Sequence, residues 1–348
     1  MIARRRAAAL LLLISLDGCG KRGEPPLHEL RLHRGAPEGR EQAQLGLHRG
    51  APEGREQPQW LTLAALLEHP FHLVKEGGAR PLGGERPLLH GFGVTVRRIV
   101  HDRGEAIGIT QGGLRLRLRE LEPPVLSSFE GAELHDGRLR LAWVTRGGAP
   151  VLAEPAAGAR VVARRERLAL VSLVSTDGPE GFYQTRAGWM SETDLAVPAA
   201  ATRPAQVGPR EIWLDIHLRS QTLVVYAGDR PTFATLVSGG VGAPGSAFAT
   251  PVGTHHIVGK RLTMPMSNLD HRGVPAYYFY EEVPLVQLIG RVALHGVYWH
   301  DGFGQPRSHG CINLSLRDAL RLFRLTRPQL PEGASQVDAE SGTVVRVH

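Results

Sequence analysis

Short runs that alternate apolar and polar side chains dominate the chain from residue 93 to residue 237. Gly93-Val94-Thr95-Val96-Arg97-Arg98-Ile99-Val100 and Leu114-Arg115-Leu116-Arg117-Leu118 have the period of strands with one buried face. The style returns at Leu139–Val144, Val161–Ala163 and Arg167–Val174, then at Ile212–Leu218, Thr222–Tyr226 and Thr232–Val237. Ser220-Gln221 and Gly228-Asp229 separate the last three runs and predict hairpin turns. A helical period is clear over Ser315–Leu325: Leu316, Ala319, Leu320 and Phe323 form one stripe, Ser315 suits the cap, and Asp318 stands in the capping-box position. Leu61–Leu67 predicts one further short helix, and Thr343–Val347 a closing strand. The pattern therefore predicts a mostly β protein with few helices.

The first nineteen residues follow a different rule. Arg4-Arg5-Arg6 precede the apolar run Ala7–Ile14, and Ser15-Leu16-Asp17-Gly18 lead to Cys19. Basic, then apolar, then small is the order of an export signal, and the run is shorter than the roughly twenty residues a membrane helix needs. Leu16-Asp17-Gly18-Cys19 resembles a bacterial lipobox, with Asp17 departing from the usual small or apolar residue, so lipidation of Cys19 is expected. Gly20 lacks the acidic residue that resembles an inner-membrane retention signal, which points to the outer membrane. A formal charge of +7 then suits an anionic cell envelope; no aromatic-interleaved basic motif for nucleic acid is present.

Composition and repeats divide the rest. Leu32–Gln42 recurs unchanged as Leu47–Gln57, two copies that are too few for a solenoid and carry no apolar period. Residues 20–59 are read as a disordered tether with a 15-residue period. Residues 60–138 and 139–198 read as two small β-modules, 199–210 as a linker, and 211–348 as a further β domain. Thr110-Gln111-Gly112-Gly113 is followed by Glu120-Leu121, and Thr185-Arg186-Ala187-Gly188 by Asp194-Leu195, at nearly the same interval. On these pairs the two modules resemble bacterial SH3-like domains, with wall binding or a spacer role as alternatives.

Chemistry concentrates near the end. Cys311 lies in Arg307-Ser308-His309-Gly310-Cys311-Ile312-Asn313, sixteen positions after His295. With Cys19 acylated or removed, Cys311 has no disulfide partner, which favours a chemical role. A thiol is mostly protonated at neutral pH, so a nucleophile needs a neighbour that takes its proton. His295 is the candidate base and His309 the candidate positioning residue, with the reverse assignment open. The amides of Gly310 and Cys311, with His309, are candidate oxyanion donors. A metal site on His295, His300, His309 and Cys311 is the rival reading, but no Cys-x-x-Cys or His-Glu-x-x-His spacing supports it. No metal and no cofactor is expected. His255 and His256 should point to opposite faces of a strand, and Tyr278 should line a groove.

Glu211 to the C-terminus resembles the L,D-transpeptidase family with a YkuD-type catalytic domain. The resemblance rests on His295, then Ser308-His309-Gly310-Cys311-Ile312-Asn313, with Gln221-Thr222-Leu223, Ser238-Gly239-Gly240, Thr250-Pro251-Val252-Gly253, Lys260, Trp299-His300-Asp301 and Phe303-Gly304. It implies a β-sandwich catalytic domain, a Cys311 thioester, and a base, His295, whose other ring nitrogen is oriented by the Gly296 carbonyl. It also implies substrate contacts from Ser308, Asn313, Trp299 and His300, the last two at the site's rim, and acylation of Cys311 by carbapenems. The implied activity is peptidoglycan L,D-transpeptidation in the periplasm. The donor would be a stem peptide, and the acceptor an amine of another stem or of an envelope protein. Hydrolysis at the same site would make it an L,D-carboxypeptidase. A non-catalytic, envelope-binding lipoprotein is the alternative from another class.

Overall fold

The computed structural model describes residues 71–84, 86–175, 178–267 and 278–348. The expected signal with Cys19, the repeat and the helix at 61–67 lie outside them. Among the described residues no helix is long and apolar enough to cross a membrane.

Residues 211–348 fold mostly as strands. Ile212–His217, Thr222–Ala227 and Arg230–Leu236 form an antiparallel meander, and Val344–Val347 adds in parallel beside Ile212–His217 with Gly253–His256 beyond it. A second sheet carries Ile312–Leu314, Val292–Gly296 and Phe279–Ile289, with Gly259–Ser267 also paired to the last. Between the sheets lies a core of Leu214, Ile216, Leu223, Val225, Leu285, Leu294, Ile312 and Leu314. The helix Leu316–Leu325 closes it, burying Leu316, Ala319, Leu320 and Phe323 as the period predicted.

The first sheet is buried on both faces. Trp213, Val224, Tyr226, Ala234 and Leu236 alternate with the core residues just named and pack against Phe129, Leu141, Trp143 and Phe303. That is why Trp213 to Ile216 are all buried, although an alternating run implies one wet face.

The expected capping box is only half formed. Ser315 Oγ accepts from the Asp318 N–H at 3.2 Å, but the Asp318 carboxylate turns instead to the Gly131 N–H (3.0 Å) and the Thr235 hydroxyl (2.6 Å). Burial pushes its carboxyl up to about 6, while those donors pull it down. Asp318 thus ties the segment before the second module to helix and sheet. Asp318→Ala should strand both donors and lower stability by about 2–4 kcal/mol, measured by urea denaturation, with Asp318→Asn milder.

The first module region is continuous with the second sheet rather than closed on itself. Phe71–Val74, Gly93–Asp102, Glu105–Thr110 and Arg115–Arg117 share a small core of Val74, Phe92, Val94 and Leu116. Gly93 nevertheless pairs in parallel with Tyr280, and Ala132–Glu133 pairs with Arg230–Leu236. The junction is polar and buried: Glu281 accepts from Thr95 N–H (2.7 Å), the Thr110 hydroxyl (2.5 Å) and Gly112 N–H (2.8 Å). Arg97 pairs with neighbouring Glu282 at 2.8 Å. An alternating strand reports its burial, not its partner, so this continuity is invisible in the pattern.

Residues 141–196 form a sheet of their own over Ala142, Val144, Val151, Val171 and Met190. The sequence echo has a structural counterpart. Strand Glu105–Thr110, strand Arg115–Arg117, the 3-10 turn Leu118–Glu120 and Leu121–Glu122 follow one another in the same order of elements as Phe182–Thr185, Gly188–Ser191, Glu192–Asp194 and Leu195–Ala196. Both threonine hydroxyls brace the turn: Thr110 Oγ1 accepts from Leu114 N–H, and Thr185 Oγ1 donates to the Gly188 carbonyl.

Candidate active site

Two adjacent parallel strands place the principal groups. Val292–Gly296 carries His295, and Ile312–Leu314 begins one residue after Cys311, with Leu294 opposite Ile312 and His295 opposite Asn313. Side chains two apart share a face, so Cys311, Asn313 and His295 lie on one side of this sheet. Cys311 is half-buried and, like Tyr280 and Trp299, packs against the cluster of Val283, Val286 and Ala293.

His295 is buried and its tautomer is set by its neighbours. Nδ1 lies 3.0 Å from the Gly296 carbonyl, which can only accept, so Nδ1 carries the proton and Nε2 holds a lone pair. Asn313 Nδ2 donates to that Nε2 at 3.2 Å. Burial holds the imidazole down at about 4, although the Gly296 carbonyl pulls it up. Burial also pushes the Cys311 thiol up, with a backbone hydrogen bond from Ala293 acting against it. At neutral pH the resting pair is therefore thiol and neutral imidazole.

The loop before Cys311 is braced by the first sheet's extension. Arg307 N–H (2.9 Å) and Ser308 N–H (3.0 Å) both donate to the Gly239 carbonyl, Val241 N–H donates to the Ser308 carbonyl, and Ser238 exchanges backbone bonds with Asn313. Thr250 Oγ1 accepts from Gly240 N–H at 2.8 Å and donates to the Gly310 carbonyl at 2.9 Å. A side chain at Gly240 would strike the Phe248 carbonyl at 2.1 Å, so the approach of these segments requires glycine. Gln221 completes the brace by accepting from Gly239 N–H. These contacts give the quoted Gln221, Ser238-Gly239-Gly240 and Thr250 segments a common physical purpose.

Ser308 and Asn313, the expected substrate contacts, are buried and bonded internally: Ser308 Oγ donates to the Cys311 carbonyl and accepts from Gly310 N–H, and Asn313 faces His295. A short loop must satisfy its own polar groups before it can offer any. The Gly310 amide, an expected oxyanion donor, is bonded to the Ser308 hydroxyl at 3.1 Å. Gly310 has φ +121°, a conformation that favours glycine. Gly310→Ala should lower turnover roughly 10- to 100-fold through displacement of Cys311, read as kcat/KM beside a melting curve.

His309 projects between Phe248 (5.0 Å, edge-on) and Tyr278 (5.1 Å, stacked). Tyr280, which the sequence did not single out, stacks on Trp299 at 3.9 Å, and Trp299 lies 6.0 Å from the His295 ring. Its signal was the aromatic run itself, where period two leaves Tyr278 and Tyr280 on one face. His300 accepts from Gly302 N–H at 3.1 Å, and burial, then Arg307, holds it down at about 4. His255 and His256 bond to the Pro251 and Gly342 carbonyls and take no part here. Among the described residues no group of three or more His, Cys, Asp or Glu is arranged to hold a metal.

This is an L,D-transpeptidase-like β fold with a thiol and an imidazole on neighbouring strands. Residues 211–347 match the family model of the YkuD L,D-transpeptidase catalytic domain. Among solved structures, an L,D-transpeptidase from Mycobacterium smegmatis is 20% identical over 64% of this chain and 100% of its own, with a TM-score of 0.32. One from Xylanimonas cellulosilytica is 20% identical over 42% of this chain, with a TM-score of 0.28, and one from Enterococcus faecium 18% over 41%, with 0.29. This chain spans 63% and 50% of those two chains, respectively. No curated protein sequence matches it.

Proposed function

We propose that the protein is a peptidoglycan L,D-transpeptidase working through a Cys311 thioester, held in the bacterial envelope by a lipid on Cys19. The observation that carries the reading is the His295 tautomer: with Nδ1–H committed to the Gly296 carbonyl, the Nε2 lone pair is on the face that Cys311 shares. The family of residues 211–347 supports it.

In the first half-reaction Nε2 takes the Cys311 proton as the sulfur attacks the carbonyl of the L-centre in a donor stem peptide. The Cys311 amide faces the developing oxyanion. Collapse breaks the C–N bond, the imidazolium returns its proton to the departing amine, and a terminal D-amino acid leaves. An acceptor amine then attacks the thioester, loses a proton to Nε2, and expels the thiolate, which recovers that proton. The acceptor belongs to a neighbouring stem or an envelope protein. Asn313 must yield its bond to Nε2 as the thiol approaches.

Incubation with a purified tetrapeptide muropeptide tests this by intact-mass spectrometry and chromatography. The expected result is an acyl adduct on Cys311, release of the terminal D-amino acid and a crosslinked dimer. A shortened monomer without dimer assigns the same site to carboxypeptidase chemistry. Neither adduct nor release would sink both readings.

A further inference from the structure

The loop Trp299–Gly304 walls the site, yet it is gripped from the second module region. Arg167 Nη2 lies 2.6 Å from Asp301 Oδ2, and Nη1 donates to the Asp301 backbone carbonyl at 3.0 Å. A planar guanidinium that engages both side chain and backbone of one residue fixes orientation as well as distance. Arg167 is itself held in a turn: Leu168 adopts φ +67°, strained for leucine, and its N–H donates to the Val144 carbonyl at 2.7 Å. Two residues beyond Asp301, Phe303 stacks on Phe129, which meets Trp143 edge-on. The loop is thereby held at two points from outside residues 211–348.

His300 stands just before these grips. Its Nδ1 accepts from Gly302 N–H, so its proton is on Nε2. That Nε2–H is enclosed and has no hydrogen-bond partner among the described residues. Trp299, packed edge-on against the His300 ring at 6.3 Å, lies 6.0 Å from the His295 ring. The cover over His295 thus depends on where the loop holds His300 and Trp299.

We infer that Arg167 is a positioning residue for the His295–Cys311 pair, acting through Asp301 and the loop that carries His300 and Trp299. The inference rests on the proposed roles of Cys311 and His295. Arg167 and Asp301 are 31% and 58% exposed, so the pair adds little to stability and its effect is on placement. Releasing it lets the loop lift and water reach His295 beneath Trp299.

The test is the rate of Cys311 alkylation by iodoacetamide across pH in the whole chain, with Arg167→Ala, Arg167→Lys and His300→Phe. Arg167→Ala should slow alkylation at neutral pH roughly tenfold. It should also move the acid limb up from about 4 toward the ordinary 6.5 without moving the melting curve. Arg167→Lys should recover part of both, and His300→Phe should reproduce the shift. An acid limb unmoved in both Arg167→Ala and His300→Phe overturns the inference, whether or not the rate falls. Alkylation needs no peptide substrate. A wild type with the low acid limb but no action on muropeptides would sink the peptidoglycan reading and leave this one standing.

Discussion

Cys311→Ala is expected to abolish both the acyl adduct and release of the D-amino acid, a loss of roughly a millionfold in turnover. The magnitude follows from the chemistry: without a nucleophile the remaining donors only bind and polarise the carbonyl. Cys311 is the free cysteine among the described residues, and it packs against the apolar cluster of Val283, Val286 and Ala293. The substitution removes one half-buried sulfur, so the melting curve should barely move and the loss can be assigned to chemistry. A carbapenem gives a second reading, since its adduct should vanish with the same substitution. Turnover within tenfold of wild type would place the nucleophile elsewhere.

His295→Ala should cost about 10²- to 10⁴-fold in kcat/KM, the range of a positioned general base. Its pH dependence is the sharper measurement. The neutral imidazole is the active form, and burial holds its pKa down at about 4 from an ordinary 6.5. The profile should therefore be flat through the mildly acid range and fall only as pH approaches about 4. The linked effect on stability has a definite sign. A histidine whose folded pKa is depressed binds its proton more readily when unfolded, so its contribution is complete above 6.5 and lost as pH falls through 4. For this one buried ring that is on the order of 3 kcal/mol. A profile that falls at 6.5 would show a hydrated imidazole and contradict the enclosed site.

Strand periods and the helix at Ser315 were legible because each depends on one face of one element. The Cys/His pair was legible because its residues lie in compact motifs. Less legible was everything that depends on a partner distant in the chain. Asp318 reads as a capping-box acid from its spacing to Ser315, but Gly131 and Thr235 claim it. Ser308 and Gly310 read as substrate and oxyanion groups, and their bond to each other has no sign in the sequence. Arg167 and Asp301 are 134 positions apart, and nothing local marks them as a pair. Glu281 was missed for the same reason, since the amides it accepts from belong to another hairpin.

Phe71, the first described residue, stacks flat on Tyr298 at 4.2 Å, next to the tryptophan that covers the histidine. These rings are joined by most of the chain, so their meeting is among the most expensive loop closures in the molecule. A chain made from its N-terminus has Phe71–Val74 and its hairpin waiting before Tyr298 exists. The wall of the candidate site is thus completed last, upon a template that was made first.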